Sequence, residues 1–216
     1  MLFVCKNENI VWRSNPIRPM KTLALYAVAY VLAFCSCRKE SGPGNLLTPA
    51  LIPSFKQFII PQGAHYATEN GFKALEVAEL KFMVKFDSSA IYQTTDPQNQ
   101  YDINKLYGFS DNDSQHHLYS ARFGWRWSDG ALRIFAYTYN NGVRDSKELS
   151  TVTIGKEVEC SIKVVGEVYQ FAINGKAQTM PRLSLTPVAK GYQLYPYFGG
   201  NEVAPHEVRI GIREVK

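Results

Sequence analysis

Residues 120–139 read SARFGWRWSDGALRIFAYTY, with Asp129-Gly130 between two runs in which apolar and polar residues alternate. Asp-Gly is a preferred filling of the two-residue type I′ hairpin turn. A turn there opposes Trp127 to Leu132, Trp125 to Ile134 and Phe123 to Ala136, all on one apolar face. The other face then carries Arg122, Arg126, Arg133, Phe135, Tyr137 and Tyr139, with a gap at Gly124. Side chains along a strand alternate with period two, so a slip of one residue would mix charged and apolar groups on both faces, and the pattern pins the register. That register sets Arg126 opposite Arg133. Like charges in direct opposition destabilise a strand pair, so an acidic group is expected over them.

A second hairpin reads the same way. A turn at Gly166-Glu167 pairs Val164 with Tyr169, Ile162 with Phe171 and Cys160 with Ile173, which makes Cys160 a core residue rather than a nucleophile. The same period extends over the strands expected at residues 55–60, 80–86, 105–109, 120–127, 131–139, 149–154, 158–165, 168–174, 192–197 and 207–215, bounded by Gly, Asn and Asp. Pro196 marks 192–197 as an edge or bulge. No stretch carries a long helical stripe. Ten short strands that must each bury a face indicate an all-β, two-sheet antiparallel sandwich or a barrel, and 216 residues suit one such unit.

The N-terminal part reads differently. From Met20 the chain runs MKTLALYAVAYVLAFCSC, one Lys followed by an apolar run from Leu23 to Phe34 and then small residues and cysteine. This is the pattern of a secretory signal peptide, too short for the roughly 20 residues of a membrane-spanning helix. Its end resembles the lipobox of bacterial lipoproteins, which implies lipidation at Cys37 after Ser36. Residues 1–37 are thus expected to be an upstream extension plus signal peptide, 38–54 a Pro-, Gly- and Ser-rich tether, and 55–216 the sandwich domain. The resemblance implies an exported outer-membrane lipoprotein, facing the periplasm or the surface, whose membrane contact is the lipid anchor.

Removing residues 1–37 takes Lys6, Arg13, Arg18, Lys21 and Glu8 from totals of 24 basic and 19 acidic residues, leaving 20 against 18 and a net charge of +2. A nucleic-acid partner loses its global electrostatic support, and any positive patch must be local.

The stretches SARFGWRW (120–127), YQFAING (169–175) and LYPYFGGNEVAPHEVRI (194–210) resemble the concanavalin A-like lectin and glucanase jelly roll. The resemblance spans about residues 55–216 and implies a concave sheet face that holds an extended glycan. The Arg and aromatic face of the first hairpin is the candidate: Arg122, Arg126 and Arg133 for acidic groups, Phe135, Tyr137 and Tyr139 for sugar faces. The expected function is carbohydrate binding, with an anionic polysaccharide as partner. The E-x-D-x-E strand of glucanases of this fold is absent, as are a G-x-S-x-G elbow, an H-E-x-x-H zinc site, a P-loop and a dinucleotide fingerprint.

Two alternatives remain open on the sequence. Gln115-His116-His117 matches the Q-x-H spacing of alginate-lyase-like jelly rolls, and a β-eliminating lyase would draw its base, acid and carboxylate neutraliser from His116, His117, Tyr119 and Arg122. That family's R-T-E-L-R strand is missing, and its Y-F-K-A-G strand is only echoed at Tyr195-Pro196-Tyr197-Phe198. The other alternative is an envelope protein-interaction or structural module using the same Arg and Tyr residues. No cofactor is expected. Asp111 and Asp113 offer closely spaced oxygens for calcium, but the full calcium loop is absent and a solvated turn is the simpler reading.

Overall fold

A computed structural model describes residues 54–215; the expected signal segment, Cys37 and all but the last residue of the expected tether lie outside the described residues. Twelve strands follow one another: β1 Lys56–Ile60, β2 Ala74–Val77, β3 Glu79–Phe86, β4 Asn104–Ser110, β5 Tyr119–Ser128, β6 Ala131–Asn140, β7 Val143–Val152, β8 Glu157–Val165, β9 Val168–Ile173, β10 Lys176–Pro181, β11 Ala189–Leu194 and β12 Val208–Val215. Two short 3₁₀ turns, Ser88–Ala90 and Pro97–Tyr101, start on Asp87 and Asp96, whose carboxylates accept the N–H of Ser89 and Gln98. The strands form two antiparallel six-stranded sheets, one ordered β1-β12-β3-β8-β9-β10 and the other β2-β11-β4-β5-β6-β7.

Alternation produces the core between them. Phe58, Ile60, Phe82, Val84, Phe86, Ile162, Phe171 and Ile210 from the first sheet meet Leu106, Phe109, Phe123, Trp125 and Ile134 from the second, all buried. Rings meet edge-to-face, as in Phe82 with Phe123 at 5.7 Å and Phe123 with Phe171 at 5.2 Å, an arrangement favoured by the ring quadrupoles.

Both hairpin registers hold. Trp127 pairs with Leu132, Arg126 with Arg133 and Trp125 with Ile134 around Asp129 and Gly130, whose φ values of 53° and 71° are those a type I′ turn requires. Cys160 pairs with Ile173 and Ile162 with Phe171, and Cys160 is fully buried.

Four differences from the sequence reading have local causes. β7 begins at Val143 rather than at 149, because Asn141-Gly142 (φ 50° and 78°) makes a second type I′ turn. Asn174-Gly175 (φ 47° and 80°) does the same and adds β10. The short β2 joins β11. The strand expected over 192–197 instead spans Ala189–Leu194 and stops two residues short of Pro196, after which Tyr197 makes only isolated bridges to Tyr66 and Lys105.

Below β4 lies a buried polar cluster. The Asp111 carboxylate, fully buried, accepts from Arg182 Nε at 2.8 Å, the Tyr169 hydroxyl at 2.7 Å and the Lys190 N–H at 3.0 Å. Burial alone would push this carboxyl up, but Arg182, Tyr169 and the N–H groups of Lys190 and Asn112 together hold it below its ordinary value. Asp111 is therefore consumed by a structural ion pair, and Asp113 faces Lys190 at 3.4 Å. Among the described residues no group of three or more His, Cys, Asp or Glu side chains converges.

Candidate functional site

The outer face of the second sheet forms the floor of a groove of about 610 Å³. β5 contributes Arg122, β6 contributes Tyr137 and Tyr139, β4 contributes Lys105 and β7 contributes Arg144, while His116, His117, Tyr192 and Tyr197 line its sides. Period two puts Arg122 and Tyr137 here as cross-strand partners, opposite the core face of Phe123 and Ala136.

Two glycines leave room beside the cations. Gly108 pairs with Arg122 across β4 and β5, and a side chain at 108 would overlap the Ala121 carbonyl and the Arg122 Cα and Cβ. Gly199 packs on Lys105 and leaves no room for a Cβ against its Nζ. The register of β4 shifts between Lys105 and Gly108, a bulge that moves Lys105 beside Arg122.

Arg122 sits 5.3 Å and Lys105 5.0 Å from the Tyr137 ring centroid, both within cation–π range. Arg122 is only 6% exposed, and its Nε has no hydrogen-bond partner among the described residues. Lys105 Nζ donates to the Ile103 carbonyl at 2.8 Å. Neither these two nor Arg144 makes an ion pair among the described residues. Burial pulls the Arg122 guanidinium below its ordinary value, and burial, then the Arg122 and Arg144 charges, bring Lys105 down to about 8.

On one side, His116 Nδ1 and the Tyr192 hydroxyl share a hydrogen bond of 2.9 Å, and the His116 N–H donates to the same hydroxyl at 3.1 Å. Burial, then Arg122 and His117, lower His116 to about 4, so its imidazole is neutral near pH 7. His117 meets His116 at 4.2 Å and Tyr139 edge-on at 5.4 Å.

The face read from the first hairpin thus divides. Arg122, Tyr137 and Tyr139 line the groove together with His116 and His117. Arg126, Arg133 and Phe135 lie outside its lining. Arg126 is held by the Tyr101 carbonyl at 2.8 Å and the Ser128 hydroxyl at 3.1 Å, its guanidinium 4.8 Å from the Phe135 ring centroid and 5.4 Å from that of Tyr101. Arg133 pairs with Glu148 at 2.9 Å and Asp129 at 3.2 Å, the acidic groups that the opposed arginines require. Tyr119 begins β5 and is not part of the lining. Tyr195 and Tyr197 separate at Pro196: Tyr195 packs on Phe58 and Tyr107, and Tyr197 on His65 and Tyr66.

No family model matches the chain, and no curated protein matches it. Among solved structures, alginate lyase AlyC3 is similar with a TM-score of 0.51 and 8% identity over 75% of this chain and 74% of that one. A glycoside hydrolase family 16 endo-glucanase from Bacteroides ovatus gives 0.44 and 10% over 74% and 80%, and the carbohydrate-binding module CBM66 from Bacillus subtilis gives 0.36 and 8% over 74% and 81%. The fold is a concanavalin A-like jelly roll. At such identities the likeness concerns the fold, and a jelly roll of this kind hosts many activities.

Proposed function

We propose that the groove binds an extended anionic polysaccharide, and that the domain does so as an exported protein anchored by lipid at Cys37. The observation that carries the reading is Arg122, a buried guanidinium with no acidic partner among the described residues, facing a groove that also holds Lys105 and Arg144. A buried charge that no carboxylate neutralises in the fold is matched by a carboxylate or sulfate brought by a ligand. The fold shared with a lyase of alginate agrees with such a partner.

Titration of the protein with oligouronates at several salt concentrations tests this. Arg122→Ala is expected to weaken binding about 10- to 100-fold, the range of a charged hydrogen bond, and to flatten the salt dependence. Arg126→Ala, outside the groove, leaves both unchanged. Equal binding by the parent and the Arg122 variant would refute the assignment. Cys37→Ala is expected to abolish lipid labelling and membrane retention.

The His116–Tyr192 pair beside Arg122 favours a second reading, β-elimination on the bound polymer. A neutral histidine takes the proton next to a uronate carboxylate held by Arg122; the electrons form a carbon–carbon double bond as the glycosidic C–O bond breaks, and a tyrosine hydroxyl returns a proton to the leaving oxygen. Tyr192 and Tyr197 stand in the groove where Tyr119 does not. Ultraviolet absorbance from unsaturated chain ends distinguishes turnover from binding alone.

A further inference from the structure

The connection between β1 and β2, residues 61–73, borders the groove and carries two large aromatic side chains that the fold leaves uncovered, Tyr66 at 64% and Phe72 at 83% exposure. This segment is fastened. The Thr68 N–H donates to the Ile59 carbonyl at 2.8 Å, the Phe198 N–H to the His65 carbonyl at 2.7 Å, and the Ala67 side chain is buried. Tyr66 meets Tyr197 edge-on at 4.9 Å, Tyr197 stacks on His65 at 5.2 Å, and Phe72 lies 5.9 Å from Tyr192. Aromatic side chains therefore stand on the side of the groove as well as on its strand floor, where Tyr137 and Tyr139 lie among the cations.

We propose that Tyr66 and Phe72 form a second subsite, a wall on which the faces of sugar rings stack, separate from the floor that takes their acidic groups. The inference rests on the polysaccharide reading of the groove. A uronic acid ring is itself two-sided in this sense: one face presents C–H bonds, and its edge carries hydroxyls and the carboxylate. Placed with its face on the wall and its acidic edge toward Arg122 and Lys105, such a ring meets both chemistries at once. Arg122, buried beside Tyr137, makes a seat for single acidic groups, whereas a nucleic-acid strand is met by a continuous track of exposed cations along its phosphates. Fixing the aromatics on a fastened segment lowers the cost of ordering them on binding.

The test is titration of the full chain with a size-fractionated oligogalacturonate. Tyr66→Ala and Phe72→Ala are each expected to lose roughly 3- to 10-fold in affinity, the scale of one aromatic contact, with the salt dependence and the melting temperature unchanged. Tyr66→Phe keeps its ring and is expected to keep its affinity. Undiminished affinity in both alanine variants, with binding by the parent intact, overturns the wall and leaves the cationic floor standing. Absence of oligouronate binding by the parent at low salt overturns the polysaccharide reading and the wall with it. Tighter binding of a single-stranded oligonucleotide than of the oligouronate overturns the choice of occupant.

Discussion

Replacing Arg122 by Met is expected to stabilise the protein while weakening its affinity for an anionic ligand about 10- to 100-fold. Taking a guanidinium out of water costs several kcal/mol, and proteins ordinarily offset this with a carboxylate and a full set of acceptors. Here the offset is the Tyr137 ring, about 2 kcal/mol for a desolvated cation–π contact, and the unpartnered Nε adds about 1 to 3 kcal/mol of unmet hydrogen bonding. Methionine keeps the length and the contact with Tyr137, strands no acidic group and removes a neighbouring charge from Lys105. A net gain of about 1 to 2 kcal/mol follows, within the range for exchanging buried ions for apolar groups. For a domain of this size it corresponds to roughly 2 to 8 °C in Tm. Thermal and urea unfolding at pH 7, beside an oligouronate titration of the same preparation, make the measurement. A variant less stable than the parent by about 1 kcal/mol or more would show that the folded protein already satisfies the guanidinium, and would remove the reason for assigning it to a ligand.

Lys105 makes binding depend on pH. Its folded value of about 8 lies below the ordinary value of about 10.4, so between the two the unfolded chain holds a proton that the folded chain has released, and stability rises with pH across that window. Lys105→Met is accordingly expected to stabilise at pH 7 and to match the parent near pH 10, while oligouronate affinity falls as pH rises through about 8 in the parent and stays flat in Lys105→Arg. Asp111→Asn leaves Arg182 buried without its partner and is expected to cost about 3 to 5 kcal/mol in urea unfolding. Because the Asp111 carboxyl is held low, its contribution is full above about pH 3.9 and disappears as pH falls through the folded value, so the acid transition of the variant should lack that component. Cys160, whose thiol is pushed up by burial and then by Glu159, should resist thiol reagents until the chain unfolds; Cys160→Ala is expected to cost about 1 kcal/mol and Cys160→Asp to prevent folding.

The two hairpins were legible because each carries its turn and its alternation within about twenty consecutive residues. Asn141-Gly142 and Asn174-Gly175 carry the same turn chemistry, and reading them would have extended β7 to Val143, set Arg144 opposite Tyr139 and added β10. Lys105 is different. It enters the floor through a bulge and through the absence of side chains at Gly108 and Gly199, which are distant from one another in sequence and leave no periodic trace. The division of the arginines was half visible: opposed Arg126 and Arg133 called for acidic partners, but Glu148 lies on a neighbouring strand across a second bulge, and no local pattern points to it. Tyr66 and Phe72 were hidden for another reason, since alternation does not apply to a connection whose course is set by backbone hydrogen bonds to the remote connection between β11 and β12.

Asp111, Arg182 and Tyr169 have a consequence for the mechanics of the sandwich. Apolar layers attract without direction, and two sheets held by them alone resist separation better than they resist sliding. Asp111 follows β4 of the groove-bearing sheet, Tyr169 lies on β9 of the opposite one, and Arg182 follows β10 at that sheet's edge. Their bonds act as a dowel between the two plates, fixing the lateral offset of one against the other. The strand pairing that brings Lys105, Arg122 and Tyr137 together on the far face of β4, β5 and β6 is thereby indexed to a point inside the body of the protein.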